Sequence, residues 1–199
     1  MTRERMQPPE APYEPPRLEE AEEKLFHLIV PELRAHAIQP ESFHDYREET
    51  TRRDMAHVEK LERTFKDESA SDPEYAIGVK RGELFEAIIA TQIEESNWMG
   101  ETAEITVPAR YDDIVNGVDL IVGFTEEETH SHLGLAVDAT ESVRGVDRKF
   151  LKIKESIENG TLSLIKYFDS EYFHGTLRQV PRVVIGADRS TTKEVTDLL

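Results

Sequence analysis

Three carboxylates punctuate the middle of this chain. Glu86 closes the segment Arg81-Gly82-Glu83-Leu84-Phe85-Glu86, Asp119 heads Leu120-Ile121-Val122-Gly123-Phe124, and Asp138 ends Leu133-Gly134-Leu135-Ala136-Val137. Both aspartates are set into aliphatic and β-branched runs, which read as buried strands. An ionised carboxylate in such a place costs several kcal/mol unless a cation, a donor or water meets it. Mg²⁺ and Mn²⁺ prefer carboxylate oxygens and keep several waters, so acids grouped with room for a phosphate suit phosphodiester hydrolysis. There the ion polarises the phosphate and lowers the pKa of a bound water. Each acid alone also has a structural reading. Asp138 could cap the turn into Glu141-Ser142, Asp119 could bond loop amides after Asn116-Gly117, and Glu86 could face solvent with Phe85 and Ile89 turned inward.

If the acids are to meet, the chain must supply a helix and two neighbouring strands. Side chains at period two share one face of a strand, so Asp119 and Asp138 can converge from adjacent strands while Glu86 approaches from a helix. Periodicity predicts that helix over about 77–95, strands over 104–108, 118–124 and 133–139, a helix over 143–158 stopped by Asn159-Gly160, and a strand over 182–186. The order is α, β, β, β, α, β. Segment 162–168 reads equally as a strand or an extended connection. This α/β domain is placed at 71–199, behind the loop-like run Asp67-Glu68-Ser69-Ala70-Ser71-Asp72-Pro73. Before it come a disordered proline-rich tail over 1–16 and a helical arm over 17–70. Pro31 either ends the arm's first helix or opens the next. The second, over about 40–66, carries Met55, Val58, Leu61 and Phe65 along one stripe. An arm of this kind packs on its own domain, on a protein partner or on a second copy.

Composition narrows the field. No apolar run approaches the roughly 20 residues of a bilayer span, and the N-terminus has no apolar signal core, so no membrane partner is expected and the default compartment is the cytoplasm. Zero cysteines exclude disulfides and thiolate metal sites and leave oxygen and imidazole as ligands. A net charge of −17 opposes loose electrostatic binding to nucleic acid. The charge is uneven, however: Arg144, Arg148, Lys149, Lys152 and Lys154 crowd the helix after Asp138. His130-Ser131-His132 would place two rings on one strand face, but no third ligand follows at a zinc spacing. Glycine-rich phosphate loops and nucleophile elbows are missing from the sequence, which removes the NTPase, kinase and serine-hydrolase classes. Tyr167, Phe168, Tyr172 and Phe173, with Lys166 and His174, read chiefly as core, with base stacking as the alternative.

Gly82 four residues before Glu86, Asp119 ahead of a hydrophobic strand and Asp138 near the end of the next, in the αβββαβ order, resemble the PD-(D/E)xK superfamily of restriction-endonuclease-like nucleases over about 77–187. The resemblance implies a mixed central sheet flanked by helices and Mg²⁺- or Mn²⁺-dependent cleavage of DNA. It implies that Asp119, Asp138 and the backbone carbonyl of Ala139 bind the metal and that Glu86 assists. Thr140 stands where the family carries lysine, which orients the attacking water; a neutral hydroxyl cannot supply that charge. The basic helix offers a replacement. With Val146, Phe150, Ile153 and Ile157 as its buried stripe, Lys149 and Lys154 flank the stripe and Arg148 and Lys152 point outward. Lys149 is therefore expected at the site, contacting the scissile phosphate, with Arg144, Arg148 and Lys152 on nucleic acid. The alternative, favoured by Thr140 and the acidic charge, is a binding or interaction module that keeps the fold without the catalysis.

Overall fold

The computed structural model describes residues 17–126, 131–141, 143–171 and 173–199. The expected tail over 1–16, His130 and Tyr172 lie outside these residues, as do the side chains of His132 and Arg144. Among the described residues the chain forms six α-helices and six strands. They run α1 (Glu20–Ala35), α2 (Glu48–Ser71), α3 (Pro73–Ser96), β1 (Ala103–Thr106), α4 (Arg110–Ile114), β2 (Leu120–Glu126) and β3 (Ser131–Thr140). Then follow α5 (Val143–Glu158), β4 (Ser163–Asp169), β5 (His174–Val180), β6 (Arg182–Gly186) and α6 (Arg189–Leu198). The fold is mixed α/β, and no described helix is long and apolar enough to cross a membrane.

A four-stranded mixed sheet, in the order β1-β2-β3-β6, holds the centre. Its first three strands pair antiparallel, and β3 pairs parallel with β6 in a register that sets Ala136 against Arg182 and Asp138 against Val184. Alternation sends Leu120, Val122, Val137 and Ala139 to one face, where Phe85, Ile89, Ala90 and Ile93 of α3 cover them. Ile121 and Ala136 turn to the other face and meet Ile165 and Val180 of the β4-β5 hairpin. Helix α5 packs on β3 and β6, also on that side.

Three expectations for the N-terminal half give way. The supposed loop at 67–73 is helical through Ser71, and α3 starts at once with Pro73 in its first turn and the Asp72 carboxylate accepting the Glu74 and Tyr75 amides at 2.9 and 3.1 Å. Asp72 and Pro73 thus form a helix start inside what composition suggested was a linker. Pro31 lies within α1, and α2 begins at Glu48, after a short 3₁₀ turn at Pro40–Ser42. The arm packs on its own chain: α1 lies along α3, and α2 touches both α3 and α4.

Candidate carboxylate and lysine site

The sheet positions two of the acids at the end where β2 begins and β3 finishes. Asp119 sits one residue ahead of β2, donates its amide to Val137 O at 2.9 Å and accepts the Ala139 amide on Oδ2 at 2.6 Å. Asp138 is 8% exposed on the face that α5 covers. The ammonium of Lys149 bonds both Asp138 Oδ1 and the carbonyl of Ala139, and stands 4.0 Å from Asp119 Oδ2. One cation is therefore enclosed by two carboxylates and a backbone carbonyl. Arg182 adds a second cation behind Asp138. Its Nη1 lies 3.7 Å from Asp138 Oδ2, while Nε donates to Ser163 Oγ at 2.9 Å and Nη2 to Asn116 O at 2.6 Å.

Lys149 reaches the acids because α5 is rolled. Its partly buried line is Val146, Lys149, Ile153 and Ser156, whereas Phe150 and Ile157 are 55% and 63% exposed. At about 100° per residue this line is turned about 50° from the apolar stripe read in the sequence. Val146, common to both lines, seats on Gly186 of β6, where an added Cβ would lie 2.5 Å from Val146 Cγ2. Arg148 and Lys152 point outward, as the sequence predicted, but Lys154 is also exposed, 3.8 Å from Glu158, rather than flanking a buried stripe.

Glu86, on α3, and Asp119 open together into a groove of about 810 Å³ between α1, α2, α3 and α4; Asp138 does not line it. The shared pocket expected for the three acids is thus divided, with Asp138 joined to Asp119 through Lys149. Burial raises the Glu86 carboxyl well above the usual range, and the charges of Asp119, Asp113 and Glu83 raise it further, against Lys149. Asp119 is pushed up to about 7, first by burial and then by Asp138, while Lys149 and the Ala139 amide oppose the shift. Among the described residues no group of three or more His, Asp or Glu side chains could by itself hold a metal ion.

Asp113 belongs to this neighbourhood and sequence reasoning missed it. It lines the groove beside Arg110, which bonds it and also Glu62 of α2 at 2.7 Å. Burial raises Asp113, and the Arg110 charge opposes that rise. Nothing in Tyr111-Asp112-Asp113-Ile114 distinguishes the two aspartates, yet Asp112 is wholly buried and accepts Lys166 and Tyr167 amides at 2.7 and 2.9 Å. Arg182 was equally hidden, because its reach to Asp138 depends on the β3-β6 pairing. His27, His36, His44 and His57 are exposed, and Tyr167 is buried core. Comparison with protein-family models, with curated proteins and with solved structures returned no match to this chain.

Proposed function

We propose that this protein is a divalent-metal-dependent nuclease that hydrolyses DNA phosphodiesters on a domain of restriction-endonuclease type. The succession α3, β1, β2, β3, α5, β6 around a mixed sheet supports that finer fold reading, with α4 inserted before β2. One observation carries the function: the Lys149 ammonium stands among Asp138 Oδ1, Ala139 O and Asp119 Oδ2. These are the oxygens a metal of the resemblance would use, and the ammonium acts as a stand-in cation in their seat. Hard oxygen donors of this kind fit Mg²⁺ or Mn²⁺.

A metal held there would polarise the phosphate and supply an activated water. Asp119 is oriented for the role by the Ala139 amide, and Asp138 by Lys149 and Arg182. Glu86 faces the groove from α3 and supports the site from the side opposite α5. Lys149, once out of the cation seat, remains within reach of a phosphate bound beside it. On the outer face of α5, Arg148 and Lys152 offer contacts to the flanking backbone, and Arg144 shares their helix. Its neutral neighbour Thr140 ends β3 opposite Gly186.

A second reading, a binding module of the same fold, is favoured by the same ion pair: Lys149 already compensates the acids. Nicking of supercoiled, linear and branched DNA with Mn²⁺ separates the two. The parent should cut, and Asp138→Ala should lose at least about a hundredfold in rate. A parent that does not cut, or a variant that cuts equally well, leaves the binding module standing.

A further inference from the structure

The groove that reaches Glu86 and Asp119 differs from end to end. Tyr75, Val79, Gly82, Glu83 and Glu86 line it along one face of α3, so Tyr75 and Glu86 stand about 16 Å apart at 1.5 Å per residue. Toward the junction of α2 and α3 the lining is apolar. Phe65, Tyr75 and Val79 are each more than a third exposed there. Apolar surface gathered in a concavity, rather than scattered singly over a protein, marks a place that receives another molecule.

The charges of the lining decide which molecule. Five carboxylates, those of Glu62, Glu83, Glu86, Asp113 and Asp119, face three cations, Arg34, Lys66 and Arg110. Arg34 pairs with Glu83, and Arg110 with both Glu62 and Asp113. Lys66 follows Phe65 on α2, at the apolar end. Glu86, mostly buried, has no hydrogen bond or ion pair among the described residues, and Asp119 meets its cation, Lys149, only at 4.0 Å. A carboxylate so placed is costly, and a charged donor entering the groove offsets that cost. Burial, and then the charges of Asp119, Asp113 and Glu83, favour a proton on Glu86; a guanidinium can take that proton's place.

We propose that this groove docks an extended segment of a protein partner, whose aliphatic or aromatic side chains lie on Phe65, Tyr75 and Val79 and whose arginine reaches Glu86. About five extended residues cover the roughly 16 Å between the two ends. Gly82 lies between them, and an added Cβ there would meet nothing within 4 Å, so the passage is open. Arginine suits the acidic end better than lysine, because a guanidinium is less strongly hydrated than an ammonium and its fixed fork matches carboxylates. The net charge of −17 favours a basic partner and works against a second copy of the chain. The docking uses only the lining and stands whether or not the carboxylate site cuts DNA.

The test is fluorescence anisotropy in EDTA with the labelled peptide Leu-Phe-Ala-Ala-Arg-Arg and a copy ending in Glu-Glu. The arginine peptide should bind at least about tenfold tighter than the glutamate copy. Glu86→Gln and, independently, Phe65→Ala/Tyr75→Ala should each weaken the arginine peptide about tenfold or more while melting close to the parent. Gly82→Leu fills the passage and alters neither end, so it should have the same effect and keeps the test open should another variant fail to fold. Equal binding of the two peptides, or parental affinity in Glu86→Gln or in Gly82→Leu, overturns the proposal. Displacement of the arginine peptide by a synthetic copy of residues 1–16, or a dimer that the peptide dissociates, would make the chain's own tail or a second copy the occupant and overturn the choice of a partner. Cutting of DNA is read separately, on parent against Asp138→Ala, so neither result decides the other.

Discussion

Lys149 and Lys166 both sit on buried aspartates, and their surroundings differ in a way that separates structure from chemistry. At Lys166 every polar atom has its partner. Its ammonium pairs with Asp54, the Tyr167 hydroxyl donates to the same carboxylate at 2.9 Å, and the rings of Tyr46, Tyr111 and Tyr167 surround the charge at 5.1 to 5.9 Å. Burial and the bond to Asp54 hold the Tyr167 hydroxyl well above its usual range, so it remains a donor. This cluster ties α2 to β4. At Lys149 that ammonium and Arg182, 3.7 Å from Asp138, face three carboxylates, Asp138, Asp119 and Glu86, and burial followed by the Asp119 charge raises the Glu86 carboxyl. Matched charge stabilises a fold; an excess of carboxylate over cation invites a ligand.

The largest effect expected from breaking this contrast is at the matched cluster. Asp54→Ala leaves a buried ammonium and a buried hydroxyl unpaired, a loss of about 3–5 kcal/mol. In a chain of this size that lowers the melting temperature by roughly ten degrees. A shift of only one or two degrees would show that the cluster contributes little.

At the crowded site the sign reverses. Asp119 ionises near pH 7 in the folded chain, against an ordinary 3.8. The folded state therefore keeps a proton that the unfolded chain has already released, and the parent loses stability as pH rises from about 4 to about 7. Asn at this position keeps an oxygen for the Ala139 amide and carries no proton to lose. In EDTA, Asp119→Asn should melt a few degrees above the parent at pH 8, with the advantage shrinking toward pH 4. A pH-independent difference between the two proteins would mean the carboxyl is not raised.

A smaller effect distinguishes the ammonium as occupant of a cation seat from the ammonium as structural partner. Lys149→Met empties the seat, so Mn²⁺ no longer competes with it and should bind about tenfold tighter, about 1.4 kcal/mol. Thermal shift against Mn²⁺ concentration reads this without any activity. If Mn²⁺ raises the melting temperature of parent and variant alike, Lys149 does not occupy the metal's place.

Legibility in the sequence followed how local each signal was. The bounds of α5 and β6 and the acids at Asp119 and Asp138 were readable, because a buried strand and a capped amphipathic helix are set by neighbouring residues. Strand β5, helix α6 and the short α4 went unread. Polar residues within β5, as in His174-Gly175-Thr176 and Arg178-Gln179, hide its half-buried character, and α6 offers only a narrow stripe. Arg182 meets Asp138 through strand pairing, and Asp113, although its i, i+3 pair with Arg110 is local, meets the groove and Glu62 only through the arm.

The roll of α5 is the clearest case of tertiary contact overriding a local pattern, and it carries the smallest predicted effect. Phe150 and Ile157 look like core by spacing yet are exposed, so Phe150→Gln and Ile157→Gln should each change stability by less than about 0.5 kcal/mol. Ile153, on the partly buried line, should cost about 1–2 kcal/mol on truncation to Ala. Were the helix seated on its apolar stripe, Phe150→Gln would cost as much as Ile153→Ala. Lys149 would then be turned about 50° from Asp138, and the two acids would lose the cation on which their comparison with Lys166 depends. Equal losses at Phe150 and Ile153 in chemical denaturation would therefore count against the site itself, since the helix cannot present both its full apolar stripe and Lys149 to the sheet.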